Sequence, residues 1–116
     1  MSEVKVMVGG SLESDAADFV DAWKRAEAGE TVAASRVLSF DSWEGLSSVL
    51  TGERYRLLRY VHGHPGLTIS GLAREIDRQY SRVHVDVTAL ETAGLLHRVD
   101  GGLHTTADRI TVAIAL

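Results

Sequence analysis

Residues 67–99 constrain the fold of this 116-residue chain more than any other stretch, because they combine two helical patterns, a short turn and a hairpin signal. Thr68 is a predicted N-cap of the first helix, residues 77–79 form the turn, and Gly94 ends the second helix. Asp100-Gly101-Gly102, between two short apolar segments, is typical of a tight β-hairpin. This order of elements predicts a winged helix-turn-helix. The predicted inward positions are Ile69, Leu72 and Ile76 in the first helix, and Val83, Val87 and Leu90 in the second.

The rest of the chain carries strand and helix patterns on both sides of this stretch. We predict a strand at residues 4–8, a helix from Glu13 to Ala28 and a second strand at residues 32–40. Asp41 is the predicted start of a short helix through residue 49, and Thr51 is the predicted cap of the helix that follows. The further inward or alternating apolar positions are Leu46, Leu57, Leu58 and Val61 in these helices, and Ile110, Val112, Ile114 and Leu116 in a terminal strand.

These elements predict an α+β protein in two parts. An N-terminal strand–helix–strand arm occupies residues 1–45, and a winged helix-turn-helix with a C-terminal strand occupies residues 46–116. The chain has a single proline, and no low-complexity linker marks a hinge between the parts. We therefore hypothesise that a small sheet joins the front strands to the terminal strand.

The charge is unevenly distributed along the chain. The net charge is −4, which argues against a nonspecific nucleic-acid binder. Residues 1–51 hold four basic and nine acidic side chains, whereas residues 52–116 hold eight arginines, seven acids and all five histidines. The excess of acidic over basic side chains therefore lies in residues 1–51. The second part is mildly basic and uses only arginine, which suits bidentate contacts to phosphate and guanine.

Composition and motifs exclude several classes of function. The absence of cysteine rules out disulfides and thiolate metal sites. There is no signal-peptide pattern and no apolar run of about 20 residues, so we expect a cytoplasmic protein without a membrane partner. Gly9-Gly10-Ser11 lacks the lysine and glycine spacing of a phosphate loop. We predict no enzymatic activity and no cofactor.

The second helix of the motif supplies the candidate binding residues. If its aliphatic stripe faces inward, its first turns present the opposite face to DNA bases in the major groove. Base contacts are predicted for Tyr80, Ser81, His84 and Val85, with Thr88 on the same face, and phosphate contacts for Arg78, Arg82 and Arg98. Val85 would favour contact with a thymine methyl group. The alternative interpretation is that these are solvated positions of a winged helix that binds only proteins.

Two other basic groups have simpler interpretations. Arg54, Arg56 and Arg59 on the helix before the motif are interpreted as a solvated face, with a role in positioning phosphates as the alternative. His62-x-His64 has the spacing of two metal ligands, but a metal site needs three or four converging ligands. The following Pro65 and Gly66 indicate a helix end instead, so no metal site is predicted.

The region from residue 38 to residue 96 resembles a family of small archaeal and bacterial transcriptional regulators of the MarR-like winged-helix type. That resemblance implies DNA binding, often as a dimer, and an antitoxin role beside a toxin in some members. The residues that carry it are Leu38-Ser39-Phe40, Leu46, Leu50-Thr51, Arg54, Leu57-Leu58, Leu72-Ala73-Arg74, Arg78, Val83-His84, Asp86-Val87, Leu90-Glu91 and Ala93-Gly94-Leu95.

The sequence therefore predicts a sequence-specific DNA-binding transcriptional regulator that contacts double-stranded DNA through helix 80–93. A homodimer is expected because one short recognition helix buries little surface and two half-sites add affinity. The acidic arm, with Phe19, Trp23 and Trp43, is the expected dimer interface. Two alternatives remain: an antitoxin that binds a toxin protein through the arm and regulates its own synthesis, and a protein-only winged-helix adaptor.

Overall fold

The computed structural model describes residues 2–9 and 35–116, and these residues form an α+β fold. The predicted helix from Glu13 to Ala28, with Phe19 and Trp23, lies outside the described residues. Within them, the element order is β1 (Glu3–Val8), β2 (Ser35–Phe40), α1 (Trp43–Val49), α2 (Gly52–Gly63), α3 (Ile69–Glu75), α4 (Tyr80–Thr92), β3 (Leu96–Val99), β4 (Gly102–Thr105) and β5 (Arg109–Ile114).

β1 is the central strand of a parallel sheet, whose order in the described part of the chain is β2-β1-β5. Val6 aligns with Leu38 of β2 on one side and with Val112 of β5 on the other. The side chains of β1 from Val4 to Val8 are all buried, as expected for the inner strand of a parallel sheet. The hypothesis that a sheet joins the front strands to the terminal strand is confirmed.

Hydroxyl side chains cap the N-termini of α1, α2 and α3. Thr51 Oγ1 accepts a hydrogen bond from the amide of Arg54 at 3.3 Å, and Thr68 Oγ1 accepts one from Gly71 at 3.0 Å. Both predicted caps are confirmed. The predicted cap at Asp41 is wrong: Ser42 has the extended backbone of an N-cap, and its Oγ accepts from the amide of Gly45 at 3.1 Å.

One apolar core connects the sheet to the helices. It contains the valines of β1 together with the inward side chains of α3 and α4. Val83, Val87 and Leu90 are fully buried, so the predicted inward stripe of the long helix is confirmed. Ile76 is only partly buried against this core, because α3 ends at Glu75 and Ile76 is its C-terminal cap.

A two-residue turn closes the predicted hairpin between β3 and β4. Asp100 and Gly101 have positive φ angles of 52° and 80°, which is the requirement of the tight turns that match strand twist. Val99 pairs with Gly102. The hairpin also bonds to the chain before α3, because Leu103 accepts from the amide of Gly66 at 2.9 Å and donates to Leu67 at 2.8 Å. These bonds fix the hairpin beside the pair formed by α3 and α4.

Candidate nucleic-acid interface

The outward face of α4 is exposed to solvent. Tyr80 is 53% exposed and Val85 is 59% exposed. The inward stripe of the same helix is fully buried, so burial fixes the rotation of α4 about its axis. All six predicted contact residues of the helix are exposed: Tyr80, Ser81, Arg82, His84, Val85 and Thr88. The structure therefore brings these side chains together on one surface of one rigid element.

Tyr80 and His84 form a pair on this surface. They lie one helical turn apart, and their ring centroids are 5.9 Å apart with the planes tilted by 40°. A phenol and an imidazole supply both hydrogen-bond donors and acceptors. The surface thus combines polar groups that suit base edges with the methyl groups of Val85, which suit a thymine methyl.

The N-terminus of α4 differs from the other helix starts in the described part of the chain. Gln79 occupies the cap position and makes no side-chain hydrogen bond to the first turn. The free amides at a helix start carry partial positive charge and are unsatisfied within the helix. An anion such as a backbone phosphate can satisfy them.

The three predicted phosphate-binding arginines have different surroundings. Arg82 is exposed and makes no ion pair with any described residue. Arg98 donates two bonds to Glu91, from Nε at 3.1 Å and from Nη2 at 2.9 Å. This pair ties the end of α4 to β3. Arg82 is therefore the most available cation of the three.

Arg78 is held beneath the start of α4. Its Nη2 donates to Asp86 Oδ2 at 2.9 Å, and its Nη1 lies 3.7 Å from Glu53 Oε2. The Arg78 side chain retains 23% exposure. Its Nη1 is buried without a hydrogen-bond partner in the described structure. The ion pair with Asp86 fixes the turn between α3 and α4, which positions the first residues of the outward face.

Asp86 is the residue that sequence reasoning missed. Its Oδ1 accepts from Arg54 Nε at 3.0 Å, while the second oxygen binds Arg78. Arg54 also donates to the carbonyl oxygens of Ser48 and Val49 at the end of α1. The interpretation of Arg54 as part of a solvated face is therefore wrong. The signal in the sequence was the position of Asp86 on α4 beside the inward Val87, because a carboxylate that is buried there needs a paired cation.

The histidines of the predicted helix end have separate partners. His62 Nε2 lies 3.1 Å from Asp108 Oδ1. His64 stacks on Tyr60, with ring centroids 4.1 Å apart. The hydrogen bond to His62, followed by one from the backbone of Ser2, lowers the pKa of Asp108 below its usual range. The two rings thus take part in different contacts.

Another pair of histidines lies on the hairpin. His97 and His104 are cross-strand partners with their rings edge to face at 6.0 Å. The strand register brings the two rings together, because His97 and His104 occupy directly opposite positions of β3 and β4. This pair and Arg98 give the hairpin a polar surface near the end of α4.

Comparison with known proteins gives one relationship. A family model described as HVO_A0114 matches residues 49–112, which include α2, α3, α4 and the hairpin. No curated protein and no solved structure matches the chain significantly. Within the two described ranges, none of the helices has the length and apolar character that crossing a bilayer requires.

Proposed function

The chain belongs to the HVO_A0114 family, since the family model covers more than half of its residues, and we propose that it is a sequence-specific DNA-binding transcriptional regulator. In this proposal residues 46–116 act as a MarR-like winged helix-turn-helix, in which α4 enters the major groove and the β3–β4 hairpin is the wing. Two copies bind double-stranded DNA as a cytoplasmic homodimer.

The observation that carries the proposal is the outward face of α4. A helix has a width that suits the major groove, and the first turns of a recognition helix meet base edges. On α4 those turns hold an exposed tyrosine, serine, histidine and valine. Tyr80, Ser81, His84 and Val85 are the proposed base contacts, with Thr88 at the far end of the face.

Phosphate contacts follow from the charges around this face. The uncapped start of α4 and the exposed Arg82 are the main proposed phosphate sites. Arg98 adds a contact from the wing. Arg78, whose side chain is 23% exposed, is a further proposed phosphate contact, and its ion pair with Asp86 holds the helix in position.

The ion pairs of the arginines favour a second candidate, the protein-only adaptor. Arg78 and Arg98 are both compensated by carboxylates, and the chain has a net charge of −4. Arginines that are paired with carboxylates attract a polyanion less strongly than unpaired ones, and they leave the surface able to bind a protein. The antitoxin alternative depends on the N-terminal arm, and residues 10–34 of that arm lie outside the described residues.

Selection from a randomised duplex library with the full-length protein tests the proposal. We expect an enriched palindromic site with half-sites separated by about one helical turn of DNA. The enriched duplex should bind at least about 1,000-fold more tightly than a shuffled duplex at physiological salt. Fluorescence anisotropy over a range of salt concentrations then measures the number of phosphate contacts.

Arg82 provides the matched pair of variants. Arg82→Gln should reduce the slope of log K against log salt by about one per bound copy, because one phosphate contact is lost. Arg82→Lys keeps the charge and should keep the slope. Failure of the protein to retain any duplex at low salt would overturn the proposal and favour the adaptor.

A further inference from the structure

The outer edge of β5 is a pairing surface at one side of the parallel sheet. Among the described strands, β5 pairs only with β1. An edge of this kind presents a row of backbone N–H and C=O groups that can bind a further strand, and natural proteins often protect such edges with charged side chains or proline. Residues 110–116 contain no charged side chain and no proline. The sequence of this edge therefore lacks those two protections.

The hydrogen bonds of the sheet show which backbone groups of β5 face the outer edge. The amide of Ala115, directly after β5, donates to the carbonyl oxygen of Val8 on β1 at 3.0 Å. Backbone groups of successive residues in a strand point to opposite edges, so every second residue before Ala115 also faces β1. The residues whose N–H and C=O groups face the outer edge are Ile110, Val112 and Ile114.

The same three residues place aliphatic side chains on the core face of the sheet. They align with the three valines of β1 that are buried in the main core. Ile110 packs against that core, but Val112 is 41% exposed and Ile114 is 49% exposed. The apolar surface of the sheet therefore extends beyond the core, and a further strand at this edge would cover it.

We propose that β5 pairs with β5 of a second copy of this chain, antiparallel about a two-fold axis at Val112. A two-fold interface must be complementary to itself, and this edge meets that condition. Val112 lies opposite Val112 and Ile110 lies opposite Ile114, so outward backbone groups exchange hydrogen bonds and aliphatic side chains cover each other. Arg109 lies opposite Ala115, so the register brings no like charges together.

The inference rests on the homodimer of the proposed function and assigns its contact to β5 rather than to the acidic arm. Residues 1–51, which include the arm, hold nine acidic and four basic side chains. Two surfaces with the same excess of negative charge repel each other. The uncharged edge of β5 carries no such cost, which favours it as the contact between copies.

Cysteine cross-linking tests the strand pairing directly, because the chain contains no cysteine. Val112→Cys should form a disulfide-linked dimer in a glutathione redox buffer. Directly opposite residues of a hydrogen-bonded antiparallel pair have Cα atoms about 5.5 Å apart, which a disulfide can span. Val37→Cys is the matched control, since Val37 lies on β2 at the other side of the sheet and is 43% exposed. It should give at least about 5-fold less dimer on a nonreducing gel.

Sedimentation equilibrium of the full-length protein without DNA measures the strength of the contact. One strand pair is small compared with standard interfaces of about 1,600 Å², so we expect a Kd of about 1–100 µM. Val112→Lys should raise this Kd at least about 10-fold, because it places two like charges opposite each other. Val37→Lys should leave the Kd unchanged. Amide NMR spectra of both lysine variants check that each remains folded.

A protein that sediments as a monomer at about 1 mM would overturn the inference. A dimer with the same Kd in Val112→Lys and in the unmodified protein would also overturn it, and this is the result expected if the acidic arm forms the contact. The cross-linking and sedimentation samples contain no DNA. Their outcome is therefore separate from retention of a duplex at low salt, whose failure overturns the proposed function.

Discussion

Gly102 lies where the hairpin passes directly against the chain that precedes α3. A Cβ atom at this position would lie 2.7 Å from the carbonyl oxygen of Gly66 and 2.9 Å from its Cα. These are backbone atoms that cannot rotate away as a flexible side chain can. The neighbouring hydrogen bonds between Leu103 and the 66–67 segment hold the two backbones at this separation. A glycine is therefore required here by space rather than by its φ angle.

Gly102→Ala should lower the free energy of unfolding by about 1–3 kcal/mol, the usual cost of forcing extra atoms into a packed site. Gly63→Ala is the matched control, because no atom beyond its chain neighbours and the local helix backbone lies within 4 Å of the added Cβ. Gly63→Ala should leave the free energy of unfolding unchanged or raise it by up to about 1 kcal/mol. Urea denaturation of both variants measures the difference. Equal stability of the two variants would contradict the close approach of residues 66 and 102.

A single carboxylate connects α2, α4 and the turn between α3 and α4. Asp86 is 9% exposed, and it binds two arginines from different elements. Breaking a largely buried ion pair is costly because the remaining charge stays desolvated. By contrast, the pair between Arg98 and Glu91 has side chains that are 42% and 28% exposed. Solvent therefore screens that second pair.

Asp86→Ala should reduce stability by about 3 kcal/mol, because Arg54 and Arg78 lose their shared partner. Glu91→Ala should cost no more than about 1 kcal/mol, since it removes a partly exposed pair. Chemical denaturation at neutral pH measures both values. A cost for Asp86→Ala as small as that for Glu91→Ala would show that the three side chains do not form a network.

The sequence predicted those features that depend on neighbours along the chain. The caps at Thr51 and Thr68 lie three residues from the amides that they bind, and the hairpin turn depends on two adjacent residues with positive φ. The partners of the arginines depend on tertiary distances. Arg54 and Asp86 are 32 residues apart in the sequence, so no local pattern could pair them.

The surface of α4 was predictable for the same reason. Its exposure follows from the spacing of three aliphatic residues on the opposite side, and that spacing is a local property. A cleft between α2 and the segment before β5 was not predicted, because its two walls come from different elements. Periodicity along one element carries no information about such a gap between elements.

β1 connects the front of the chain to the helices. Its valines are in the same core as Leu72, Val87 and Leu103. β5, from the end of the chain, pairs with β1 along its full length. The predicted boundary near residue 45 therefore separates segments that share one sheet and one core. Such an arrangement favours one cooperative unfolding transition.

Val6→Ala on β1 should lower the free energy of unfolding by about 2 kcal/mol, because Val6 is 1% exposed and its loss leaves a cavity in the shared core. Val112→Ala is the matched control: Val112 is the aligned partner on β5 and is 41% exposed, so its truncation should cost well under about 1 kcal/mol. Amide NMR signals should be followed through urea denaturation at constant protein concentration, separately for the sheet and for the β3–β4 hairpin. Because both regions depend on one core, Val6→Ala should move their two midpoints to lower urea together. A hairpin that keeps its original midpoint while the sheet unfolds early would show that residues 46–116 fold without β1.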